Sequence, residues 1–117
     1  MNEKSSTFEF DLDGQKVTIT VTRASIRQAA RRYQAIVAGY EADAAAPDPD
    51  LGPVRKYIFP DVLAATVTVA GMKWPITADE YAELPETLDT IWREKIHKLN
   101  PQWRAPVEDK AGDEKKE

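Results

Sequence analysis

The chain contains no cysteine and a single histidine. The first absence rules out disulfides, a thiolate nucleophile and any cysteine-ligated zinc site. The second leaves His97 with no other imidazole to share a metal, and with no nucleophile at a recognisable spacing for general-base work. A surface or half-buried histidine is the simpler reading. Nothing approaches the roughly 18 consecutive apolar residues of a spanning helix. The opening Met-Asn-Glu-Lys-Ser-Ser-Thr lacks the apolar core of a secretion signal, so the expectation is a protein that stays in the cell that makes it. Positive charge is in deficit. The 16 Lys and Arg stand against 20 Asp and Glu, a net −4, which argues against non-specific affinity for nucleic acid. No Gly-rich phosphate loop, metal motif or nucleophile elbow is present, so residue chemistry points to no enzyme, cofactor or metal.

What remains is the composition of an ordinary folded domain. The 117 residues are 42% hydrophobic and 31% charged, enough chain for one modest core. The clearest stretch is Thr77 to Trp103. Leu88, Ile91, Trp92, Ile96 and Leu99 recur at helical spacing. Thr77 and Glu80 have capping-box spacing, Pro85 suits a first helical position, and Asn100-Pro101 is a stop. A short helix over about 77–83 and a longer one over about 85–99 are expected.

Upstream, residues 1–6 read as a polar, frayed start. Phe8, Phe10 and Leu12 then alternate with acidic residues, and Val17, Ile19 and Val21 alternate with threonines, about Asp13-Gly14. That pattern predicts a hairpin with a two-residue type I′ turn, Phe8 facing Ile19 and Phe10 facing Val17. A lone hairpin is marginal in water, so helices must cover its apolar face. Thr22 or Ser25 caps the next helix. Its apolar positions are Ile26, Ala29, Ala30, Tyr33, Ile36, Val37 and Tyr40; Arg23, Arg27 and Arg31 lie roughly opposite, with Arg32 beside them. Those arginines read as a solvated basic face, or more sharply as a contact for an acidic partner or a phosphate backbone.

Pro47, Pro49, Gly52 and Pro53 predict an exposed loop over about 45–55. Residues 55–65 suggest a helix of two to three turns in which Pro60 is awkward unless the helix begins near Phe59. Thr66-Val-Thr-Val-Ala-Gly fits a third strand through Val67 and Val69, or an irregular link, equally well. Beyond Trp103 the composition turns polar and charged, and a disordered tail is expected over 104–117. The fold expected is therefore α+β: one domain over 1–103, with an N-terminal β-hairpin, and with or without the third strand, packed on three to four helices.

Two clusters invite chemistry. Glu80, Glu83, Glu86 and Asp89 gather around the helix junction, where negative charge complements helix dipoles. They could also oppose the Arg23–Arg32 face, within one molecule or between copies. Trp74, Trp92 and Trp103 lie on apolar faces without interleaved Lys or Arg, which favours core over base stacking. Trp103, after the helix stop, either folds back or stands out as an anchor.

The second half carries a resemblance. Ile58-Phe-Pro-Asp-Val-Leu-Ala-Ala-Thr, Trp74-Pro-Ile-Thr-x-x-Glu80-Tyr-x-x-Leu84-Pro-Glu, then Trp92 and Leu99-Asn-Pro-x-Trp103, resemble the small tail assembly chaperones of long-tailed bacteriophages. The likeness covers about 57–103. It implies a non-enzymatic protein of the host cytoplasm, absent from the mature virion, that coats the tape measure protein and helps recruit tail tube subunits. It also implies a longer form made by a programmed frameshift, for which Lys115-Lys116 is a candidate slip region and a flexible tail a suitable junction. No catalytic motif is carried over. A chaperone of this kind needs an apolar, adaptable surface. The residues expected to supply it are Trp74, Tyr81, Trp92 and Trp103, with Arg27 and Arg31 as a polar rim; self-association is compatible with it. The rival readings are a small structural tail or head-completion protein kept in the particle, and a regulatory nucleic-acid binder.

Overall fold

The computed structural model describes residues 4–104. Strands β1 (Ser5–Leu12) and β2 (Gln15–Thr22) form the expected antiparallel hairpin, with Phe8 opposite Ile19 and Phe10 opposite Val17. Asp13 and Gly14 have φ of 53° and 89°, as a type I′ turn requires. The Gly14 N–H donates to the Asp11 carboxylate at 2.8 Å. The polar start is shorter than expected, because β1 begins at Ser5 and the Lys4 carbonyl already accepts from the Thr22 hydroxyl at 2.8 Å. Beyond Arg104, the tail expectation lies outside the described residues.

Helix α1 (Ile26–Ala45) takes Ser25 as its cap. Ser25 Oγ accepts the Gln28 N–H while the Gln28 side chain accepts the Ser25 N–H, a reciprocal box that leaves Thr22 to the strand. The expected loop over 45–55 is too long. Helical backbone resumes as α2 (Leu51–Pro53), widens through a π segment (Val54–Ile58) and continues as α3 (Phe59–Ala65). The Asp48 carboxylate accepts the N–H groups of Asp50 and Leu51 and so starts this run. Pro53 falls in the first turn, where its missing N–H is not needed. Farther on, the Phe59 N–H reaches the Val54 carbonyl, the longer π-type bond, and the widened turn admits Pro60.

Strand β3 (Thr66–Ala70) pairs antiparallel with β2, so the third strand exists and the sheet order is β1-β2-β3. Helix α4 (Ala78–Tyr81) carries the expected Thr77–Glu80 capping box but is shorter than 77–83. Pro85 stands just outside α5 (Glu86–Leu99) with ψ of 143°, as its cap and not its first residue. Asn100 ends that helix, and a 3₁₀ turn (Pro101–Trp103) follows.

The sheet's inner face is sealed at Val17, Ile19 and Val21. Helix α5 covers it with Leu88, Trp92 and Ile96, and α3 with Phe59, Val62, Ala64 and Ala65. Each large apolar side chain so buried stabilises by roughly 1.5–3 kcal/mol. The other face presents the Thr7–Thr20 hydroxyl pair to water. Helix α1 does not reach the sheet; it lies outside, on α3 and the π segment.

Candidate interaction surface

The aromatic residues expected to form a contact surface form the core. Tyr81, Trp92 and Trp103 are buried, and Trp74 is half-buried with its ring 5.5 Å from that of Trp92. Tyr81 bridges Phe59 at 5.8 Å and Trp92 at 5.4 Å. Burial is possible because the polar tips are met. The Trp92 indole Nε1 donates to Thr66 Oγ1 at 2.9 Å, and the Tyr81 hydroxyl donates to Asp89 at 2.6 Å. Burial, and then the Asp89 carboxylate, push the Tyr81 phenol far above its usual range, so it stays a donor. Trp103 folds back, with the Arg32 guanidinium 4.7 Å from its ring centroid. The half-buried Trp74 is all that these four leave for a partner.

Helix α1 is turned inside out relative to its composition. Its inward face holds Gln28, Arg32, Ala35, Gly39 and Asp43, and not one α1 residue belongs to the hydrophobic core or its fringe. Gln28 Nε2 donates to the Ala64 carbonyl at 3.2 Å, Arg32 Nε to Asp61 at 2.5 Å, and Asp43 pairs with Arg55 at 3.4 Å and Lys56 at 3.5 Å. The reason lies in what α1 packs against. This side of α3 and the π segment offers a carboxylate, two cations and backbone carbonyls, with Phe59 and Leu63 facing only small α1 residues (Ala35, Ala38, Ala42), so the polar side chains turn in and the large apolar ones, the half-buried Ile36 apart, turn out. Ile26 is 91% exposed, Tyr33 68%, Tyr40 49% and Val37 40%. Tyr57, 60% exposed, extends the patch by meeting Tyr40 edge-on, hydroxyl to hydroxyl at 3.2 Å. Of the basic set, Arg23, Arg27 and Arg31 are exposed, whereas Arg32 is consumed internally. Arg27 and Arg31 thus border this new stripe and not the aromatic group they were expected to rim.

Gly39 sets the depth of this contact. A Cβ there would be driven into the Arg55 carbonyl. Gly39→Ala should cost roughly 1–3 kcal/mol by overpacking, although alanine is the better helix former. Urea unfolding checks it; a variant as stable as the parent would show that the two helices can move apart freely.

Two buried charges that the sequence did not mark hold this layer. Arg55 donates two bonds to the Asp79 carboxylate, at 3.1 and 3.2 Å, and one to the Ala46 carbonyl at 2.8 Å. It clamps the end of α1 to the start of α4, and the hydrogen-bonded Asp79 carboxylate raises its already high pKa. Asp61, nearly sealed, accepts from Arg32 and lies 2.8 Å from His97 Nε2. His97 is therefore a half-buried partner of a carboxylate 36 residues away in sequence, a pairing that no local spacing could display. Beside it a cavity of about 410 Å³ is lined by Thr90, Arg93, Glu94, His97, Lys98 and Arg104. Half of the acidic run is engaged within the molecule: Glu80 in its capping box and with Lys73 at 3.1 Å, Asp89 with Tyr81 and Arg93, whereas Glu83 and Glu86 are exposed. Glu80 is held below the usual carboxylate range by the Thr77 N–H first and Lys73 second.

No family model matches the chain, and neither a curated protein nor a solved structure is similar to it at a significant level. Among the described residues, no helix is long and apolar enough to cross a membrane. None of their His, Asp and Glu side chains gather into a group that could hold a metal ion.

Proposed function

We propose that this protein works by contact, as an assembly chaperone of the phage-tail type, and that the outward stripe of α1 is the surface it lends. Its client would be the tape measure protein, with recruitment of tail tube subunits as the consequence, in the host cytoplasm and not in the mature virion. The observation that carries the reading is the solvent-facing row Ile26, Tyr33, Val37 and Tyr40 on a helix that gives its own core nothing. Exposed apolar rows of this extent mark protein interaction sites, and a helical client can lay its own apolar face into such a row. The resemblance over 57–103 supplies the choice of client.

Co-expression with a tape measure protein tests it. The parent chain should raise that protein's soluble yield and co-purify with it, and Tyr33→Glu, at an exposed position, should abolish both without lowering thermal stability. Equal yields with and without the chain would end the proposal. Mass spectrometry of purified virions separates it from the structural rival, because a chaperone should be missing from the particle.

A further inference from the structure

We infer that when no client is bound the α1 stripe is occupied by α1 of a second copy, in an antiparallel two-helix seam. The outward positions are Ile26, Ala30, Tyr33, Val37, Tyr40 and Ala44, separated by four, three, four, three and four residues. That is a strict heptad seam, sustained along the whole helix. It lies roughly opposite the face that Gln28, Arg32, Gly39 and Asp43 fix to the rest of the molecule; of the seam residues Tyr40 also touches Tyr57 and Lys56 of its own chain, but it keeps about half its surface exposed for a partner.

Size and charge select the orientation. One heptad position holds Ile26, Tyr33 and Tyr40, all large; the other holds Ala30, Val37 and Ala44, all smaller. An antiparallel pair sets unlike positions together: Ile26 on the partner's Ala44, Ala30 on the partner's Tyr40, Tyr33 on the partner's Val37. Every layer joins a large side chain to a smaller one. A parallel pair would alternate alanine voids with tyrosine collisions. Along one shoulder, Arg27, Gln34 and Glu41 stand seven residues apart. Antiparallel pairing brings like shoulders together, so Arg27 meets the partner's Glu41 twice and Gln34 meets its own copy at the two-fold axis. A parallel pair would set this shoulder against the partner's opposite shoulder, which holds Ala29, Ile36 and Asp43, and would lose the paired Arg27–Glu41 contacts. The surface is self-complementary, as an isologous dimer demands.

Sedimentation of the purified full chain at low salt should show a concentration-dependent dimer. Arg27→Glu or Glu41→Arg alone should weaken it about tenfold by setting like charges together, and the double variant Arg27→Glu/Glu41→Arg should recover it. In a background with no native cysteine, a short bismaleimide should join Gln34→Cys chains. It should not join Arg27→Cys chains, whose thiols would lie about 21 Å apart along the axis. A monomer at every concentration, a double variant no better than either single one, or efficient joining through position 27 would each overturn the inference. It uses the same stripe as the proposed client contact but is read without any client. A monomer that still solubilises tape measure protein removes the dimer and keeps the chaperone. A dimer without effect on that protein does the reverse.

Discussion

Asn100→Ala should destabilise the fold by about 2–5 kcal/mol, one of the two largest losses expected from a truncation outside the apolar core. Asn100 has no exposed surface. Its Oδ1 accepts the Ala24 N–H at 2.8 Å, and its Nδ2 donates to the Thr22 carbonyl at 3.1 Å and the Ile96 carbonyl at 3.0 Å. One amide therefore joins the exit of β2, the entry of α1 and the last turn of α5. Truncation leaves two backbone groups, the Ala24 N–H and the Thr22 carbonyl, without these partners in a largely buried site, at roughly 1–3 kcal/mol each, while the Ile96 carbonyl keeps the Asn100 N–H at 2.9 Å. Total stabilities of such domains are only about 5–15 kcal/mol, so the change is a large share of the whole. Chemical unfolding measures it; a loss under about 1 kcal/mol would mean that water reaches those groups after all.

Asp61→Ala should cost about 3–5 kcal/mol, the range for removing one partner of a buried charge pair. Arg32 and His97 would keep their positions and lose the carboxylate between them. Asp61→Asn should lose roughly half as much, since the amide keeps the volume and one acceptor. If alanine and asparagine prove equally tolerated, the cluster is only a spectator of the packing. A second consequence is local. Arg32 lies between Asp61 and the Trp103 ring, so the alanine variant should loosen the C-terminal turn as well.

What could be read from sequence was local. The hairpin register followed from the alternation about Asp13-Gly14, and the Thr77–Glu80 box from a spacing of three. The α5 stripe followed from its helical period, and all three are in the fold. The third strand stood open because Val67 and Val69 do not both face the core. A register irregularity at Thr20/Val21 turns Thr66 inward and leaves Val67 outside. The π segment has no pattern of its own, and Gly52 and Pro53 read as breakers although they sit in a helix's first turn. The aromatic surface was misplaced for a nameable reason. The hydroxyl that lets Trp92 be buried belongs to Thr66, and the cation that covers Trp103 belongs to Arg32, both far away in the chain. The α1 period was visible, but which side of it faces inward depends on Asp61 and Arg55, and no property of α1 alone decides that. Asn100 read only as a helix stop; its three partners lie at separations of 4, 76 and 78 residues.

The seating of α1 has a further consequence. Its ties to the body are mainly polar: the Arg32–Asp61 and Asp43–Arg55 ion pairs, the Gln28 amide, the Tyr40–Tyr57 contact and a close backbone approach at Gly39, beside which only small residues (Ala35, Ala38, Ala42) face Phe59 and Leu63. The sheet, α3 and α5 enclose their apolar interior without it. The longest helix among the described residues is thus a layer added to a body whose apolar interior closes without it, held by ion pairs that their burial largely shelters from dissolved salt.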